Sequence, residues 1–395
     1  IRLAALWHGK ARLWSEGRRN IFERMEAAVR PSDRIVWVHA ASLGEFEQAR
    51  PIIERLRAEH PEYKILLTFF SPSGYEIRKN YEGADYVFYL PADTPSNARR
   101  FLDIVHPEIA IFIKYEFWIN LLSELRRRKV RSYIVSAIFR RNSVFFRPYG
   151  AMWRQALETF DTLFVQNVES KRLLSEIGFD NVVVAGDTRF DRVAQIAAAA
   201  QRVETIERFR GGGRLFVAGS TWGPDEEILL PLVNANPDVK FVIAPHEMDE
   251  GRIAHLMRDA KGGAVRYTQC DAATRFDDVQ VLVLDTMGML SSVYGSATWA
   301  YVGGGFGVGI HNTLEAATFG LPIAFGPNYG KFKEARDMVS LGCAVSVRTA
   351  GELAAWFAPL RDDEETLRRA SRTAKDYTAR NQGATGIILR SIFNS

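Results

Sequence analysis

Cysteine is almost missing from the chain. Cys270 and Cys343 are the two present among 395 residues, 73 positions apart, which excludes a disulfide framework and a zinc site of paired thiolates and fits a reducing compartment. An apolar excess is missing too: 47% apolar against 25% charged side chains is the ordinary globular balance, which excludes a channel or transporter as well as a fibrous or disordered chain. A length of 395 residues exceeds one ordinary core and predicts two large domains.

Strong charge of either sign is also lacking. The net +4 is uneven, because residues 1–200 carry 30 basic and 24 acidic side chains and leave 21 and 23 for the rest. Such a patch suits acidic lipid, a phosphorylated substrate or nucleic acid, and is mild enough to be a solvated surface. The first twenty residues, IRLAALWHGKARLWSEGRRN, set five basic residues and one acid among Leu3, Leu6, Trp7, Leu13 and Trp14. That pattern is a basic amphipathic segment of membrane-surface type, or equally a first helix packed on its own domain. As a membrane segment it lays Leu3, Leu6, Trp7 and Trp14 into lipid while Lys10, Arg12, Arg18 and Arg19 meet anionic headgroups. Ile1 rather than Met is read as a start downstream of the natural one, with room for an anchor upstream.

Short apolar runs recur, each followed by a helical pattern: residues 34–40, 63–69, 85–90, 108–113, 131–137 and 161–167, then 214–220, 239–245, 279–285, 297–304 and 321–327. Near-continuous apolar strands alternating with helices predict parallel sheets covered on both faces. An Ala-rich charged stretch (193–210) and Gly211-Gly212-Gly213 separate the two sets. The expectation is therefore an α/β chain of two Rossmann-like domains, 1–192 and 214–395, joined by a helix and hinge at 193–213, with a cleft facing the carboxyl ends of both sheets. The last helices, 350–381, are expected to be able to cross back to the first domain.

The strand ends carry the unusual residues. HAASLGE (39–45) closes the first strand; Gly44 is expected to give a tight turn, and Glu45 at the helix start can accept a proton or serve as a cap. YVGGGFGVGIHNTLEAATFGLPIAFGP (301–327) joins five glycines, Gly304 and Gly305 among them, to a helix starting near His311. Amides at that helix start suit a phosphate, and Glu315 one turn on can accept two ribose hydroxyls. The glycines never make G-x-G-x-x-G, Gly330-Lys331 lacks Walker spacing, and HEMDE (246–250) ends in Glu where a zincin needs His. No Asp-x-Asp occurs, which argues against the divalent-cation clamp of many nucleotide-sugar transferases.

Taken together the motifs resemble a known family, the 3-deoxy-D-manno-octulosonic acid (Kdo) transferases of lipopolysaccharide biosynthesis. HAASLGE is similar to the family's His-Ala-(Ala/Val)-Ser-x-Gly-Glu, TFFSPSGYE (68–76) to its Thr-x-Thr-x-Thr-Gly, and QN (166–167) and GDTRFD (186–191) to its Gln-Asn and Gly-x-x-Lys-Phe-Asp. GSTWGPDEE (219–227), DTMGML (285–290) and GIHNTLEAA (309–317) follow in family order, so the resemblance covers nearly the whole chain.

The resemblance implies the GT-B glycosyltransferase architecture and metal-independent, inverting transfer of Kdo from CMP-Kdo to a lipid A precursor. No cofactor and no nucleic acid are implied. The place implied is the cytoplasmic face of the bacterial inner membrane, peripheral or anchored, against an anionic surface. Glu45 matches the catalytic base and Glu116 in KYEFWIN (114–120) the second acid. Arg189, Ser220, Thr221, Pro245, His246, Met287, Gly288, Gly304, Gly305, Asn312 and Glu315 fall on donor-binding segments, and Ser42, Gly44, Ser73 and Gly74 on acceptor-side ones. Lys114 and Ile119 replace a Glu and a Pro of the second-acid motif, and Pro245-His246 lacks the Arg of the family's Pro-Arg-His. Two other readings are a GT-B-like nucleotide-sugar epimerase and a membrane-docked nucleotide-binding module without turnover.

Overall fold

Strand β1 (Ile35–Ala40) is buried along its whole length, as Ile, Val, Trp, Val, His and Ala must be where helices cover both faces of a parallel sheet. The computed structural model describes residues 9–394. These form two compact units, one running through Arg192 and resuming at Gln382, the other Val193–Asn381.

In the first unit β1 is followed by β2 (Lys64–Phe69), β3 (Tyr86–Tyr89), β4 (Ile109–Ile113), β5 (Arg131–Ala137), β6 (Thr162–Val165) and β7 (Val182–Val184). Their order is β3-β2-β1-β4-β5-β6-β7, parallel at every pairing. The second unit repeats the plan with β8 (Leu215–Thr221), β9 (Lys240–Pro245), β10 (Ala264–Arg266), β11 (Val281–Val283), β12 (Trp299–Val302), β13 (Ile323–Phe325) and β14 (Ala344–Ser346). Here the order is β10-β11-β9-β8-β12-β13-β14. The first sheet grows outward from β1 to β3 and then reverses between β1 and β4; in the second, β9 pairs with β8, β10 takes the edge with β11 between it and β9, and the order reverses between β8 and β12. Such reversal points open a crevice at the carboxyl ends of the strands, where open α/β sheets bind ligands.

Strands β7, β10 and β14, which the apolar runs do not include, have three residues each and lie on sheet edges. The expected helical stretch at 193–210 is two helices, Thr188–Ala199 and Glu204–Arg210. The second buries Ile206 and Phe209 in the core of the second unit and stops at Gly211, whose φ of 60° suits a residue without a side chain. Residues 204–210 thus pack as part of that unit instead of standing apart as a linker.

The segment returning to the first unit is the final helix, Ala384–Phe393; helices Ala350–Asp362 and Glu364–Arg380 stay with the second. Asp191 fixes the return by accepting from the amides of Gly383 (2.6 Å) and Thr385 (2.7 Å) and from the Thr385 hydroxyl (2.6 Å). Ile388, Leu389 and Ile392 then enter the core beneath β1. Each such side chain contributes about 1.5–3 kcal/mol by leaving water.

Candidate active site

The two strands flanking the first sheet's reversal lead into Glu45 and Glu116. Glu45 is the third residue of helix Leu43–Glu59, and the hydroxyl of Ser42, the residue before that helix, donates to its carboxylate. Ser42 accepts no helix amide through its side chain, so it orients Glu45 and leaves the helix end uncapped. Glu116 lies in the loop after β4. Its Oε2 accepts from Trp118 Nε1 at 2.8 Å and stands 3.2 Å from His39 Nε2.

Tyr115, next to Glu116, joins these neighbourhoods. Burial pushes its phenol pKa up, Arg140 and Arg189 pull it down, and Asp187 and Glu45 raise it further. Arg189, assigned to the donor by motif, belongs to the first unit. It donates to Asp187 through Nε at 2.9 Å and through its amide at 3.0 Å. Asp187 is fully buried, which alone would raise its pKa, but the Arg189 charge and the hydrogen bonds from Arg189 and Gln48 hold it below the usual value.

The two acceptor-side glycines sit in different surroundings. Gly44 lies inside helix Leu43–Glu59, where a Cβ would meet nothing nearer than the Ser42 hydroxyl at 3.8 Å. The expected tight turn is absent, and glycine leaves bare backbone beside Glu45. Gly74 is required by packing, since a Cβ there would stand 2.3 Å from the Phe69 ring. Ser73 is exposed at the start of helix Pro72–Arg78, its hydroxyl 2.9 Å from that of Ser71.

In the second unit the loops after β8 and β12 meet. Ser220, the last residue but one of β8, has a φ of 53°, a left-handed conformation costly for a residue with a Cβ and typical of sites under functional constraint. A Cβ on Gly303 would lie 2.2 Å from the Ser220 carbonyl oxygen, so only glycine lets these strands end side by side. Asp225 ties the loops together, accepting from the amides of Trp222 and Gly304 (2.9 Å each) and the Tyr301 hydroxyl (2.7 Å). Burial raises its pKa, partly offset by these bonds.

Helix Thr313–Thr318 begins two residues after His311, and its Leu314 amide is already taken by the Asn312 side chain at 3.1 Å. Its start is therefore not the open row of amides the glycine pattern predicts. Glu315 accepts from Ser291 at 2.7 Å and from Asn312 at 2.9 Å, one bond per oxygen, which brings the loop bearing Met287 and Gly288 to Asn312. Met287 is 77% exposed. Pro245 closes β9 beside Thr221, and the His246 ring stacks on both Trp222 (centroids 4.8 Å) and His311 (4.3 Å), which are themselves joined where Trp222 Nε1 donates to His311 Nε2 at 3.2 Å.

Residues 18–192 match the family model described as 3-Deoxy-D-manno-octulosonic-acid transferase (kdotransferase), ending at the residue where the first unit gives way to the second. Over 373 residues the chain is 28% identical to the 3-deoxy-D-manno-octulosonic acid transferase of Bordetella pertussis, covering 90% of this chain and 86% of that protein. Over 378 residues it is 25% identical to the enzyme of that name from Haemophilus influenzae, covering 91% and 86%. The first unit carries the family's domain, and the chain is similar to Kdo transferases along 90% of its length. It is a glycosyltransferase. The UDP-GlcNAc 2-epimerase of Neisseria meningitidis, solved bound to UDP-GlcNAc, superposes with a TM-score of 0.64 at 15% identity, covering 92% of this chain and 100% of that one. That likeness shows the fold alone, the GT-B architecture.

Kdo transferase motifs account for Glu45 and Glu116 but not for several residues beside them. Tyr115 and Asp225 were not legible as site residues, although the motif strings contain them. Lys331 carries no motif signal, because Gly330-Lys331 lacks Walker spacing; its ammonium donates to Val308 of the glycine-rich loop at 2.6 Å. In the N-terminal segment Arg18 and Trp14 follow the packed-helix alternative and not the membrane one. Arg18 turns inward, donating to Leu90 (2.8 Å), Phe70 (2.9 Å) and Trp14 (3.1 Å) and stacking over Trp14, and burial pushes its pKa down to about 10. Trp14 packs edge-on against Phe70. Neither side chain is offered to lipid, whereas Lys10, Arg12 and Arg19 are exposed; Leu3, Leu6 and Trp7 lie outside the described residues.

Proposed function

We propose that the chain transfers Kdo from CMP-Kdo to a lipid A precursor, inverting the anomeric centre without a bound metal. Glu45 takes the proton of an acceptor hydroxyl as that oxygen attacks the anomeric carbon. The bond from this carbon to the CMP phosphate oxygen breaks on the opposite face, and CMP leaves with the electron pair. Negative charge growing on the phosphate is offset by the glycine-rich loop and Lys331. Glu315, already oriented by Ser291 and Asn312, accepts from the ribose hydroxyls. Ser220, Thr221, Pro245, His246, Met287 and Gly288 complete the donor side, and Ser42 and Ser73 the acceptor side. The observation that supports this division of labour is topological: Glu45 and Glu116 follow the two strands flanking the first unit's sheet reversal, and Ser220 and Gly304 lie at the ends of the two flanking the second's.

The partner surface belongs to the same proposal: an anionic membrane, at the cytoplasmic face of the bacterial inner membrane. Residues 126–154 carry nine basic and no acidic side chains. Some are neutralised locally, Arg126 by Glu158 and Arg141 by Glu176. Arg147 is exposed beside Tyr149 and Met152, which are 76% and 54% exposed. An aromatic and a thioether among cations match the headgroup boundary of an acidic bilayer. Among the described residues no helix is long and apolar enough to cross a membrane.

Mass spectrometry of lipid A precursor incubated with the protein and CMP-Kdo tests the reaction. A product heavier by Kdo, formed in step with CMP release, is expected. CMP-Kdo consumption independent of the lipid contradicts it.

A further inference from the structure

His39 is buried completely in β1, with Thr68 as its register neighbour on β2 and Phe112 on β4. A polar ring in that position must satisfy both nitrogens inside the protein. Nδ1 stands 2.9 Å from Thr68 Oγ1, which also accepts from Trp37 Nε1 at 2.8 Å. On the other side, His39 Nε2 lies 3.2 Å from Glu116 Oε2 and 3.0 Å from Trp118 Nε1.

Counting protons selects one arrangement. Both indoles can only donate, and the threonine hydroxyl has a single proton. If Thr68 gives it to Nδ1, His39 carries its own proton on Nε2 and donates to Glu116, and every donor in the chain Trp37, Thr68, His39, Glu116 reaches an acceptor. The opposite tautomer lets Nε2 accept from Trp118 Nε1, but it sets the same lone pair against the Glu116 carboxylate oxygen at 3.2 Å. With Thr68 then accepting from both Trp37 and His39, the threonine proton is left without an acceptor among the hydrogen bonds of the described residues. Both donors on Glu116, His39 and Trp118, then fall on Oε2, and among the described residues no hydrogen bond goes to Oε1.

We propose that His39 is a positioning residue for Glu116, held as the neutral Nε2–H tautomer by Thr68. The role in turnover rests on the transfer chemistry proposed above; the tautomer does not. Replacement by glutamine keeps an N–H where Nε2 stood, whereas asparagine mimics the Nδ1 side and leaves Glu116 without its donor. Thr68→Val keeps shape and burial while removing the proton that holds Nδ1 as an acceptor.

Two measurements decide it. Long-range 15N–1H spectra of the ligand-free protein near neutral pH are expected to show His39 as Nε2–H, and an Nδ1–H signal overturns the proposal. In kinetics, His39→Asn and Thr68→Val are expected to lower kcat by about 10- to 100-fold with KM for CMP-Kdo little changed, and His39→Gln to recover most of the rate. The double variant His39→Asn/Glu116→Ala is expected to be no slower than Glu116→Ala alone. Losses that multiply in the double variant, or a His39→Gln as slow as His39→Asn, overturn the positioning role. A parent protein that transfers no Kdo instead contradicts the proposed reaction and leaves the tautomer result standing.

Discussion

Asp225 accepts the amide of Gly304 at 2.9 Å, and through this bond the first turn of helix Gly223–Ala235, which follows β8, holds the loop after β12. An Asn in its place offers one carbonyl where the carboxylate offers two oxygens, and turns an NH2 toward a donor. Asp225→Asn is expected to weaken CMP binding by about 1–3 kcal/mol, read by calorimetry. The pH dependence has a definite sign. Burial holds this carboxyl above the ordinary 3.8, so the folded state favours its proton. Stability falls as pH rises from 3.8 through the folded value, and Asp225→Asn is expected to remove that slope from urea-unfolding midpoints.

Glu315→Ala is expected to weaken CMP and CMP-Kdo alike, by about 1–3 kcal/mol, because a charged acceptor of two hydroxyls is lost. Binding of both ligands to the parent is expected to be the same in chelator as without it. Calorimetry in which EDTA abolishes CMP binding contradicts a metal-free pocket.

His311 is expected to titrate below the ordinary 6.5. Burial is the larger cause and the neighbouring His246 the smaller, so His246→Asn moves the His311 midpoint upward in an NMR titration yet leaves it under 6.5. As pH falls from 6.5 toward the folded value, the unfolded chain takes up the proton first and the unit loses stability. A His311 midpoint at or above 6.5 in the parent contradicts the stacked, half-buried geometry.

The long strands and the alternating order were legible because runs such as Ile35–Ala40 need no partner to announce burial on both faces. Strands β7, β10 and β14 were not: they are three-residue edge strands, and unlike the equally short β11 and β13, which sit inside apolar runs of the second sheet's interior, β10 and β14 each end in a polar residue and β7 has only three valines. The return of Ala384–Phe393 was visible only as a loose expectation placed on the wrong helices; the Asp191 cap that fixes it joins residues nearly two hundred positions apart. At the site, Glu45 and Glu116 were legible through motifs. Asp225 and Lys331 were not, because their importance lies in which loop each one grips. Gly74 shows the converse: a motif glycine that the Phe69 ring requires without any ligand.

The membrane surface is testable without turnover. Arg147→Glu/Tyr149→Ser/Met152→Ser is expected to reduce co-sedimentation with anionic vesicles at low salt by about tenfold, each cation at such a surface being worth about 1 kcal/mol. CMP binding in solution is expected to stay unchanged. Equal pelleting of variant and parent assigns the contact to another surface.

Glu45 is the residue on which the proposed reaction turns, and Glu45→Gln tests it most directly because the amide keeps the size but cannot take a proton. The measurement is the rate of Kdo transfer from CMP-Kdo to saturating lipid A precursor, with CMP affinity measured alongside. The expected result is a fall in kcat of about 10²- to 10⁴-fold with CMP binding nearly unaltered. A variant that turns over at the parent rate contradicts the assignment of Glu45 as the base.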